Sequence, residues 1–132
     1  MNQSQANVCM SIQEKISVLW IVVMFNMVFA DICSFMMPGV LKDIISGNTP
    51  LEITQGIMLV FAVFLAIPIG MIYLSRVLDN GVNRMMNIIA SFVTILFAIG
   101  GGSLTLHYIF FASVEVFIML YIIWSMWNWR KE

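Results

Sequence analysis

Five side chains in this sequence could bind a ligand or exchange a proton from within or beside long apolar runs: Asn26, Asp31, His107, Tyr108 and Glu115. Asp31 sits in ISVLWIVVMFNMVFADICSFMM, residues 16–37, and Glu115 sits in the last apolar run. Ionisable groups in such surroundings are costly and mark functional sites by default. Every Lys and Arg lies outside the apolar runs, so neither acid has a basic partner at its own depth. If the two face each other they are expected to share and exchange a proton. His107 stands two turns before Glu115, on about the same helical face, and Tyr108 follows it at the rim. Asp31, Glu115 and His107 are therefore expected to line one cavity opening outward. The competing reading is a structural hydrogen-bond cluster that pins the first span to the fourth. Asn26, one and a half turns below Asp31, is expected to hydrogen-bond across a helix interface or to add a polar contact to the site. The spacing of the three ionisable residues is no recognised metal signature, so no metal and no cofactor is expected, and no catalytic residue can be assigned.

These groups need helices to position them. Residues 16–37 make about 22 residues at ~1.5 Å each, a helix of about 33 Å and long enough to cross a hydrocarbon core. Three further runs follow, at about 57–74, 87–104 and 108–127. The expected fold is all-α: an integral membrane four-helix bundle with a short interfacial helix between the first and second spans. Pro38 ends the first span. Residues 38–48 read as that interfacial helix, with Val40, Leu41, Ile44 and Ile45 on one face and Gly47 and Asn48 stopping it. Thr49, Pro50 and Glu52 read as a capping box for the second span, whose Pro68 predicts a kink. Ala62, Ala66 and Gly70 form a small-residue ridge suited to close helix packing. In the third span Asn87, Ser91, Thr94, Ala98 and Gly101 share one small, mildly polar face that should point inward. Asn83 and Asn87 read as cap and packing residues.

Composition agrees. Of 132 residues, 61% are hydrophobic and 10% charged, with a mean hydropathy of +0.98. A soluble domain carries about 25% charged residues. Six basic residues and a net charge of −1 leave no electrostatic footprint for nucleic acid. Cys9 and Cys33 belong to no CxxC and fall at opposite faces, too far apart for a disulfide. The first run follows a polar tail (1–14), is long, and lacks a small-x-small site, so it is expected to be retained rather than cleaved as a signal peptide. Lys15, Arg76, Arg84, Arg130 and Lys131 fall on one side of a four-span topology and Lys42 on the other. That predicts both termini in the cytoplasm. The four Trp residues fall on the same side, at the depth where indole rings favour headgroups.

The runs VMFN (23–26), AD (30–31), PG (38–39), PI (68–69), LSR (74–76), NR (83–84), NIIA (87–90) and FFA (110–112) with Glu115 resemble a family of small four-span bacterial membrane proteins with no assigned function. Its layout is similar to that of the wider DoxX-like group. The resemblance spans about Lys15 to Arg130. It implies a four-helix bundle with an embellished first loop and supplies no catalytic residues. DoxX-like proteins are sometimes associated with quinone or thiol oxidoreduction, whereas this chain carries no redox motif.

The expected function is binding or transport of a lipophilic or amphipathic small molecule, proton-linked through Asp31 and Glu115. The expected partners are the lipid bilayer, that molecule, and further copies of the chain in a homo-oligomer. An accessory or anchor subunit of a membrane complex is the alternative. An enzyme acting on a membrane-dissolved substrate comes third, because no catalytic constellation supports it.

Overall fold

A computed structural model describes residues 9–129. The first eight residues of the expected tail, and Arg130 and Lys131, lie outside the described residues. Five helices follow one another: α1 (Ile12–Phe35), α2 (Val40–Ser46), α3 (Gln55–Val77), α4 (Asn80–Gly100) and α5 (Leu106–Asn128). The four long ones are apolar and long enough to cross a membrane. The protein is thus a small multi-pass helical membrane protein, with a short helix between its first two spans.

Local chemistry sets the helix ends. Helix α1 starts at Ile12, earlier than the apolar run suggests, because Ser-Ile-Gln-Glu forms a capping box. Ser11 Oγ accepts from Glu14 N at 3.2 Å, and Ser11 N donates to Glu14 Oε2 at 2.9 Å. Helix α2 lies between two glycines in the left-handed region, Gly39 (φ 90°) and Gly47 (φ 72°), where a Cβ would be strained. Pro38 precedes that first cap. The cap of α3 is Thr54, whose Oγ1 accepts from Ile57 N at 3.3 Å. The expected box at Thr49 and Glu52 does not form. Thr49 Oγ1 instead donates to Leu51 O at 2.7 Å, and the irregular segment carries Ile53 onto the wall of an internal cavity. Helix α4 begins at Asn80, several residues before the apolar run at about 87, and follows α3 after two residues. Helix α3 runs unbroken through Pro68, which leaves the Phe64 carbonyl without its usual helical donor.

Each long helix packs on two neighbours, α1 on α3 and α5, and α4 on α3 and α5, while α2 touches α1. Short loops between α3 and α4 and between α4 and α5, and a longer connection through α2 between α1 and α3, give this up-and-down ring. Its two ends are filled differently. Ile16, Trp20, Met71, Met119, Ile122 and Met126 are buried at the end where α1 begins and α5 finishes. Toward the α2 end the interior thins to Met27, Ala30 and Ala98. In α3 the buried residues are Pro68, Met71 and Ser75, with none in the half that precedes the proline.

The inward face expected on α4 is present: Asn83, Asn87, Ala90, Ser91, Thr94 and Ala98 are buried. Two other expectations change. The ridge Ala62, Ala66 and Gly70 does not pack inside the bundle; both alanines are exposed, and a Cβ at Gly70 would meet nothing within 4 Å. Trp20 is no interface residue. It is fully buried and donates Nε1–H to Asn87 Oδ1 at 2.7 Å, because a buried polar partner satisfies the indole better than a headgroup one turn away.

Candidate functional site

The packed end holds a closed polar network. Trp20 Nε1 and Ser75 Oγ (3.1 Å) both donate to Asn87 Oδ1. Asn87 Nδ2 donates to Asn83 O at 2.9 Å, and Asn83 Nδ2 to Ser75 O at 2.7 Å. Ser17 Oγ donates to Ile72 O at 2.7 Å and accepts from Arg76 Nε at 2.9 Å. The groups named here satisfy one another across α1, α3 and α4, which fits packing rather than ligand binding. Arg84 closes the same end, donating Nη2 to Trp127 O at 3.0 Å with its guanidinium 5.8 Å from the Trp127 ring centroid.

The other end holds the candidate site. A cavity of about 390 Å³ opens between α1, α3, α4 and α5. Its apolar wall includes Met27, Phe35, Met58, Phe61, Leu65 and Phe97. Phe64 stacks on Phe97 with centroids 4.8 Å apart, and Phe61 meets Phe97 edge-on at 6.1 Å. The polar side chains on the wall are Asp31, Tyr108 and Glu115. Glu115 is 4% exposed, and its Oε1 is buried with no hydrogen-bond partner. Leaving such a group unpaired costs about 1–3 kcal/mol, and more if charged. Asp31 lies on the same wall but is exposed.

The structure therefore brings Asp31, Glu115 and Tyr108 to one cavity and takes His107 elsewhere. His107 Nε2 pairs with Ser34 Oγ at 3.2 Å, tying α5 to α1, and is not part of the wall. Among the described residues no group of three His, Cys, Asp or Glu gathers as a metal site requires. Asn26 flanks the Glu115 carboxyl and donates Nδ2 to Phe111 O at 2.8 Å, an α1–α5 bond. Tyr108 is more than a rim residue. Its hydroxyl donates to Ala98 O at 2.8 Å, and with Ala98 and Ala112 it belongs both to the cavity wall and to that of a second groove along α4 and α5, lined also by Ile99, Gly102 and Val116.

One contributor escaped the reading of the sequence. A Cβ on Gly102 would lie 2.2 Å from Tyr108 Cε1, so this glycine is the seat of the ring. The Gly100–Gly102 run signals a loosened helix end, and nothing in it marks one glycine as a seat. Ser91, expected on the inward face of α4, lies off the cavity wall. Its Oγ is buried without a partner, and the register fixed by Tyr108 on Ala98 and Arg84 on Trp127 places it near the depth of Glu115.

A family model described as a family of unknown function (DUF6326) matches residues 9–132. The chain belongs to this family. No curated protein and no solved structure matches it. Membership in DUF6326 thus assigns no activity, and the functional reading rests on the cavity itself.

Proposed function

We propose that this protein binds a lipophilic or amphipathic small molecule in the cavity at the α2 end and moves it within or across the bilayer. Glu115 and Asp31 serve as its polar, proton-exchanging contacts. One observation carries this reading: a buried carboxyl with an unpartnered oxygen belongs to the wall of a cavity of about 390 Å³. Small-molecule pockets span about 300–1,000 Å³ and combine apolar walls with a few placed polar groups. The gathering of Lys15, Arg76 and Arg84 at one end, with Lys42 at the other, supports an orientation with both termini in the cytoplasm of a bacterial inner membrane.

Native mass spectrometry of the full chain in nanodiscs tests the reading. A discrete non-lipid mass, lost in Glu115→Gln or Asp31→Asn, is the expected result. Retention of the ligand and of proton flux in both variants would end it.

A second reading, a DoxX-like accessory or anchor subunit or a homo-oligomer, draws on the outward ridge Ala62, Ala66 and Gly70 of α3. Small residues let another transmembrane helix approach closely. A stoichiometric partner or a second copy cross-linked through Ala66→Cys would support it, and its absence at full occupancy of the label would count against it.

A further inference from the structure

The cavity is chemically one-sided. Its polar side chains are two acids and a tyrosine whose hydroxyl proton is already given to Ala98 O. Among the described residues no Lys, Arg or His belongs to its wall. Arg76 and Arg84 are engaged at the opposite end by Ser17 and Trp127, and Lys42 projects from α2. Carboxylates accept hydrogen bonds and donate none. Asn26 donates to Phe111 O and also lies within hydrogen-bonding reach of the Glu115 carboxyl, whose Oε1 has no well-placed partner. The surrounding wall is aromatic and aliphatic and includes Phe35, Phe61 and Phe97, and aromatic rings attract cations. Among the described residues the pocket wall therefore carries two acids, no positive charge and no free hydrogen-bond donor of its own, in an otherwise oily space.

We infer that the cavity takes a lipophilic amine, an apolar body bearing one ammonium that still carries an N–H. Such a head donates to the Glu115 carboxyl, and its charge is attracted by Asp31 at the more open part of the wall. An alkyl or aryl body replaces lipid-like contact with Met27, Leu65 and the phenylalanines. A carboxylate head is repelled by the two acids. An alcohol supplies a donor but no charge, and a quaternary ammonium supplies charge but no donor. This inference rests on the binding reading above and narrows it to one chemical class.

A matched series separates the two claims. Decylamine, decanol, decyltrimethylammonium and decanoate share one chain and differ in the head. Radiolabelled decylamine is titrated into the full chain in nanodiscs, with protein-free nanodiscs subtracting bilayer partition, and the other three compete. Saturable decylamine binding is expected, with decanol and decyltrimethylammonium weaker by about ten-fold and decanoate not competing. Glu115→Gln should weaken decylamine about ten-fold while changing decanol less than two-fold. Circular dichroism and the unfolding midpoint check that the variant is folded. Asp31→Asn, at an exposed position, serves if it is not, and should weaken decylamine about three-fold without affecting decanol. Equal binding of decanol or decanoate, or no loss of amine preference in either variant, overturns the amine and leaves the cavity reading standing. Equal binding of decyltrimethylammonium overturns the N–H requirement. Absence of saturable binding by all four overturns both.

Discussion

The two ends of the bundle contain similar polar chemistry and use it in opposite ways. At the packed end Trp20, Ser75, Asn83 and Asn87 are fully buried and each finds a partner. At the α2 end Glu115 is almost as deeply buried, yet one carboxyl oxygen has none, and the residue borders a cavity. The difference lies in the side chains around them. Trp20, Met119, Ile122 and Met126 fill the first region, whereas Ala30, Ala98, Gly101 and Ala112 leave the second hollow. Polar groups wedged among large side chains specify how helices pack. A polar group beside a cavity is available to something else. Stability and binding should therefore separate along the length of the helices.

Asn87→Leu should have the largest effect on stability, because it strips the acceptor from both Trp20 and Ser75. A loss of about 2 kcal/mol is expected, read as a lower midpoint in detergent or urea unfolding. A neutral result would mean that the network does not hold the bundle. Trp20→Phe keeps Asn87 bonded to Ser75 and should cost less, about 1–2 kcal/mol, with a blue-edge change in tryptophan emission. Gly102→Ala forces the Tyr108 ring to move and breaks its bond to Ala98, for about 1 kcal/mol. It should also join the cavity to the α4–α5 groove, seen as faster exchange of a bound probe. Glu115→Gln should change stability by about 1 kcal/mol or less, in either direction, because no partner of Oε1 is lost. A loss as large as that of Asn87→Leu would make Glu115 structural and erase the contrast. Asp31→Asn, at an exposed position, should be smallest, within about 0.5 kcal/mol.

Several features were readable from residues alone because they depend on local pattern. The four spans follow from apolar runs longer than the hydrocarbon core. The short helix α2 follows from Pro38, two glycines and an apolar face. The inward side of α4 follows from Asn87, Ser91, Thr94 and Ala98 recurring at helical spacing. The deep acids Asp31 and Glu115 drew attention because burying a carboxyl needs a reason. Capping was less legible. Ser11 and Thr54 won over Ile16 and Thr49 because a cap depends on where the chain must turn, and that is set at the bundle ends.

Which groups meet across helices was decided only by the tertiary structure. His107 and Tyr108 are adjacent in the chain, yet one pairs with Ser34 on α1 and the other walls the cavity. Trp20 has the spacing of an interface anchor and becomes the centre of a hydrogen-bonded core. The small residues of α3 look like packing residues and face outward. A sequence fixes the angle of each side chain about its own helix axis. The rotation of that helix against its neighbours comes from the sum of many weak contacts along the whole interface. Composition and spacing therefore determined a four-span helical membrane protein with two acids among its apolar runs. The packing of α1 and α4 against α3 and α5 decided that both of those acids would line one cavity.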